Sequence, residues 1–171
     1  MSTYEPIMDA LLALLQASCG EKFRYYSRRF ATWESVVVRT QNASDPLNQP
    51  CLFLYDGIGF GGGRTEYKQR ARGLPPTRTM LRTIVVYAQL PGGGGLAGPD
   101  LLTPGGTVFA PLMESIDTAF SAEVGDGPGG TQTLGGLVSH CWIEGDNHWV
   151  VGDIDPGGQG MMTVPVSILL P

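Results

Sequence analysis

Glycine and proline gather in four clusters, and these clusters limit what the chain can fold into. They lie at Gly57–Gly63, Pro91–Gly106, Gly125–Gly136 and Pro156–Gly160. Both residues end regular elements, so the chain reads as apolar segments joined by long connections. A loop beyond about 12 residues inside a compact domain is functional or disordered, and the run from Pro91 to Gly106 passes that length. No apolar run approaches the ~20 residues that span a bilayer.

Between the clusters the apolar pattern gives two helices. In the first, Ile7, Leu11, Leu14 and Leu15 share a face, and Met8, Leu12 and Cys19 share the adjoining one. Ser2 and Glu5 suit a capping box, Pro6 suits a first turn, and Gly20 suits the C-terminal end. The stripe is wide enough to touch a sheet and a second helix or a neighbouring subunit. The second helix is expected over Val108–Glu123. There Val108, Phe109, Leu112, Met113, Ile116, Ala119 and Phe120 fall on one side, and Glu114, Ser115, Asp117 and Ser121 on the other. Pro111 is placed in its first turn, where the missing N–H breaks no bond.

Five segments rich in β-branched and aromatic residues are strand candidates: Trp33–Arg39, Cys51–Tyr55, Met80–Leu90, Leu134–Glu144 and Met161–Leu170. Ile84–Tyr87 is apolar on both faces and reads as central. Pro165 cannot donate to a ladder, which puts the last strand at an edge or gives it a bulge there. The predicted fold is α+β over a single domain, 1–171. A mostly antiparallel (mixed) sheet of four to five strands carries both helices on one face. Residues 57–79 form a projecting basic arm, an extended segment or long hairpin, and 91–106 a glycine-rich loop.

Charge is divided along the chain. All eleven Lys and Arg precede residue 83, where they face seven Asp and Glu for a net of +4; the remainder holds nine acids and no base, a net of −9. Unless the halves interleave, a folded subunit presents two surfaces of opposite sign. That arrangement favours head-to-tail contact between copies. The basic candidates for such an interface are Arg64, Lys68, Arg70, Arg72, Arg78 and Arg82. The acidic candidates, as a partner surface or a lumen wall, are Glu114, Asp117, Glu144, Asp146, Asp153 and Asp155.

Site chemistry is harder to find. Gly57-Ile58-Gly59-Phe60-Gly61-Gly62 fits G-x-G-x-x-G. However, no helix pattern follows it, and the acid wanted about 20 residues later is missing. His140 and Cys141 alternate across a strand and cannot hold one ion together. Asp153, Asp155 and Gly157 lack the remaining calcium-loop ligands and read as a turn. Neither His140 nor His148 stands beside a recognisable nucleophile. No catalytic, cofactor or metal residue is assigned. The N-terminus lacks the basic start of a secretory signal. Cys19, Cys51 and Cys141 are expected as reduced core thiols.

The order and pattern of several segments resemble the tail terminator (tail completion, minor tail protein U-like) proteins of long-tailed bacteriophages. They are the helix Ile7–Leu15, the strand Pro50–Tyr55 and Gly73-Leu74-Pro75 leading into Thr83–Tyr87. The helix Pro111–Asp117 follows, then Gln132–Val138, Cys141–Gly145 and Val164–Leu169. The resemblance implies a non-enzymatic virion subunit forming a hexameric ring. Such a ring caps the head-proximal end of the tail tube, ends tail polymerisation and offers a surface to the neck. Its implied partners are further copies of itself, the major tail (tube) protein and a neck or connector protein. DNA would pass through the lumen without specific binding, no membrane is involved, and assembly would occur in the host cytoplasm. A head-completion or stopper protein is the neighbouring alternative. A small nucleotide-binding enzyme using Gly57–Gly62 is the alternative from another class.

Overall fold

The computed structural model describes residues 4–28, 50–56, 63–89, 103–154 and 159–171. The strand candidate Trp33–Arg39, the glycines 57–62, residues 90–102 and Asp155 lie outside these, as does Ser2 of the capping box. The side chain of Asp153 is likewise not described.

Helix α1 spans Tyr4–Cys19. It buries Ile7, Met8, Leu11, Leu15 and Cys19 on one stripe and ends at Gly20, whose φ of 53° is the left-handed conformation a glycine adopts without strain. Helix α2 spans Thr103–Ala119 and buries Phe109, Leu112, Met113, Ile116 and Ala119. It starts before the position the sequence suggests, so Pro111 lies inside the helix rather than in its first turn. The stretch Thr103-Pro104-Gly105-Gly106-Thr107 has poor helix propensity. That hides the true start and makes four residues of the supposed loop helical. Ser115, expected on the outer face, is buried, and its hydroxyl donates to the Leu112 carbonyl at 2.7 Å. Cys19 Sγ donates to the Ser115 carbonyl at 3.4 Å, tying the two helices together.

The sheet has seven strands: β1 Tyr25–Ser27, β2 Cys51–Tyr55, β3 Arg64–Lys68, β4 Thr77–Gln89, β5 His140–Ile143, β6 His148–Ile154 and β7 Gln159–Leu169. Their order is β1-β2-β4-β7-β5; β3 also pairs with β4, and β6 with β7. Only β1–β2 is parallel; the other pairings are antiparallel. The fold is therefore α+β with a mixed sheet. The expected β2, β4 and β7 are present, and β4 is central with Ile84–Ala88 buried. β1, β3 and β6 escape the apolar-run criterion because they are short, charged or interrupted by polar residues.

Both helices cover one face. Leu52, Leu54, Met80, Ile84, Val86, Met162, Val164 and Ile168 join the α1 and α2 stripes in one buried cluster. Each such side chain contributes about 1.5–3 kcal/mol by leaving water. Alternate residues Cys51, Phe53, Val85 and Tyr87 form a second cluster on the other face.

Two expectations fail at the C-terminal strands. β7 is not an edge strand, since it lies between β4 on one side and β5 and β6 on the other. Pro165 is nonetheless accommodated. β5 pairs with β7 up to Val166 and β6 starts at Thr163, so Pro165 stands in the gap between the two ladders. Its carbonyl accepts from Glu144 N–H at 3.2 Å on that side, and the ring nitrogen faces the same gap. Second, β5 begins only at His140. Leu134, Gly135 and Gly136 have φ of 53°, 71° and 82°, which no extended strand allows.

Candidate interface surfaces

The basic arm is a hairpin rather than a loose loop. β3 pairs with β4 from Arg64↔Leu81 to Lys68↔Thr77, while Thr79–Leu81 also pairs with β7. The root is thus part of the sheet. The end, from Tyr67 to Pro76, is exposed throughout. Thr77 Oγ1 takes a 2.8 Å hydrogen bond from Arg70 Nε, and Gly73 turns the chain with φ of 91°. Arg72 is exposed beside them. Arg78 is exposed too, with Nη2 3.5 Å from the Pro171 carbonyl.

Arg82 does not belong with this set. It is buried, and its Nε lies 3.0 Å from Asp56 Oδ1, at ion-pair distance but outside hydrogen-bond geometry. Nη1 donates to the Leu81 carbonyl at 2.8 Å. Alternation along β4 put Arg82 on the helix side with Met80 and Ile84, and the sequence offered that signal before the structure did.

The face opposite the helices carries a shallow groove across β3, β4, β7 and β5. Two adjoining depressions of 260 and 410 Å³ share Arg64, Leu81, Glu144 and Ser167. Lys68 and Glu66 stand on the β3 side and Asp146 and His148 on the other. Arg64 pairs with Glu66 at 3.1 Å. Basic and acidic residues therefore interleave on this face instead of forming two separate surfaces. The strand β4, where the sign of the chain changes, is the seam.

The acidic candidates divide as well. Glu114 and Asp117 lie on the exposed side of α2, in the helix layer. Burial raises the Asp117 carboxyl above its usual range, and the neighbouring Glu114 charge adds to the rise. Glu144 and Asp146 belong to the groove.

An acidic feature that the sequence reading left out is the loop after α2. Asp126 Oδ1 takes hydrogen bonds from the Thr133 N–H at 2.5 Å and its hydroxyl at 2.8 Å; Oδ2 takes one from Gly135 N–H at 2.5 Å. Partial desolvation opposes ionisation, but these donors outweigh it and hold the carboxyl below its usual range. The visible signal was Asp126 among glycines, a common start for side-chain-to-backbone turns.

His140 stacks on Trp142 with ring centres 5.0 Å apart, and Cys141 is buried on the helix side, so the two neighbours point apart. Among the described residues no group of three His, Cys, Asp or Glu side chains could hold a metal ion. Residues after Gly62 form strand β3, not the helix whose N-terminus would receive a diphosphate. No helix of the described residues is long and apolar enough to cross a membrane. No protein-family model matches the chain, and no curated protein matches its sequence.

Proposed function

We propose that this chain is a structural virion protein of a tailed phage. It forms a ring, hexameric by the resemblance, that caps the head-proximal end of the tail tube, stops its growth and joins it to the neck. The observation that carries this reading is the placement of the Arg-rich hairpin on one flank of the sheet and an acid-only loop on the other. Unlike patches on one subunit suit heterologous contacts, and heterologous contacts build rings when the rotation between copies closes. The ring itself is what the tail terminator resemblance implies. Exposed ion pairs yield only about 0–1 kcal/mol each, so charge orients subunits while apolar surface supplies affinity.

In this reading one of the acidic sets of the second half, on α2 or in the groove, borders the lumen, where like charge keeps DNA from adhering. The subunits assemble in the host cytoplasm and remain in the virion at the tail–neck junction. The test is tube length in a tail assembly reaction. Adding the protein should arrest tubes at a set length, with a ring visible at one end by negative stain. Tubes that grow unchecked while the protein binds portal-bearing heads would assign it to the stopper role instead. Stabilisation by nucleotides at modest concentration would favour the enzyme alternative.

A further inference from the structure

Exposed apolar side chains are few among the described residues, and four of them fall into two charged settings. Tyr67 and Leu74, 64% and 56% exposed, sit in the hairpin among Lys68, Arg70, Arg72 and Arg78. Val124 and Leu137, 37% and 40% exposed, sit in the loop after α2 with Glu123 and Asp126. That loop belongs to the half of the chain without a single base. Each patch therefore combines apolar area with charge of one sign, and the signs are opposite.

We infer that the hairpin end of one copy docks on the Glu123–Leu137 loop of a second copy. A concavity of 350 Å³ at the hairpin, walled by Arg70, Pro75, Pro76, Arg78, Leu170 and Pro171, receives the acidic and apolar loop. The two patches of one subunit do not meet each other. β3 and β5 flank opposite sides of the β4–β7 pair, about 14 Å apart at the usual strand spacing. They do lie at the same end of the sheet. Leu170 N–H binds the Arg78 carbonyl and Ser139 N–H binds the Leu169 carbonyl, both at 2.9 Å, so hairpin root and loop end flank the last residues of β7. A contact between patches at one level adds little rise along the strands as it repeats, which favours a closed ring over a fibre. The receiving loop is already ordered by the Asp126 hydrogen bonds, so little freedom is lost on docking. The inference rests on the self-association proposed above, but not on a tail tube.

The experiment uses two full-length variants, Leu74→Cys and Val124→Cys, and a short thiol-to-thiol cross-linker. The native Cys19, Cys51 and Cys141 are buried and do not compete. Mixed, the variants should give a covalent dimer; alone, each should give none. The charge variant Arg70→Glu/Arg72→Glu should weaken self-association roughly tenfold in low salt, and mixing it with Glu123→Arg should recover part of the loss. Cross-linking of Leu74→Cys to itself, no product from the mixture, or a charge variant that sediments like the parent would overturn the contact. A chain that cross-links as expected yet fails to arrest tubes removes the terminator reading and leaves the contact standing. A chain that arrests tubes without this cross-link does the reverse.

Discussion

Arg82 Nε stands 3.0 Å from Asp56 Oδ1, and its guanidinium lies 5.9 Å from the centre of the Tyr4 ring at the start of α1. This places a cation on the helix-covered face of the central strand, where β2 ends and α1 begins. Truncation to Arg82→Ala strips Asp56 of its ion-pair partner and leaves the Leu81 carbonyl, which accepts from Nη1 at 2.8 Å, with the Gly63 N–H as its remaining donor. The expected cost is about 1–3 kcal/mol of unfolding free energy, read from urea titration. Arg82→Met keeps much of the aliphatic stem and should recover part of that loss. An unchanged midpoint for Arg82→Ala would show that the residue contributes nothing to the fold.

Asp126 should make the loop after α2 sensitive to acid. Its carboxyl is held below the usual range, so its contribution is fully present above the unfolded value near pH 4 and is lost as pH falls through the folded value. Asp126→Ala should cost about 1 kcal/mol at neutral pH, a modest figure because the site faces solvent. The gap between variant and parent should close in strong acid. A gap that is constant from neutral pH down to pH 2 would show that ionisation plays no part.

Gly130 and its neighbour Gly129 test that loop's backbone. The φ of Gly130 is 77°, and a Cβ there would stand 2.6 Å from Ala122 Cβ and 2.7 Å from the Ala122 carbonyl oxygen. Gly129, with φ of 69°, has open space around it. Gly129→Ala should cost only the strain of the left-handed conformation, about 1 kcal/mol, whereas Gly130→Ala should cost more and shift the loop. Equal thermal midpoints for the two variants would contradict this packing.

The three cysteines should be silent in the folded state. Burial pushes the Cys51 thiol up to about 12 and raises Cys141 and Cys19 as well. A raised folded value favours the fold only while the unfolded thiol is still protonated, so stability should decline as pH climbs past about 8.5. A thiol reagent should label nothing at pH 8 without denaturant and all three residues in urea. Rapid labelling of native protein would mean a thiol lies nearer the surface.

Legibility in the sequence followed how strongly one period dominated a segment. The α1 stripe, Gly20 at its end, β2 and the central place of β4 were readable because burial on one or both faces repeats there without exception. The start of α2 was not, because Pro104 and two glycines obey helix geometry against their propensity once the later residues are packed. The run Leu134–Val138 reads as strand because it leads into the alternating residues Leu137–Glu144. Asp126 takes the Thr133 and Gly135 N–H groups, which turns the chain there, and periodicity does not register a side-chain bond of that kind. β3 is legible only as part of a basic extended segment or long hairpin, since its pairing comes from backbone groups and leaves Arg64 and Lys68 in solvent. Arg82 was grouped with its charged neighbours by composition, although its place in the alternation pointed inward.

The position of β7 bears on how the protein is made. Its strand is the latest in chain order, yet it fills the middle of the sheet. While a ribosome is still delivering it, β4 has one bare side and the helices have nothing complete to rest on. Such an open edge invites pairing with other nascent chains. Overproduced protein should therefore depend on chaperones until synthesis has passed Leu169. Shortened forms lacking β7 should be found in aggregates.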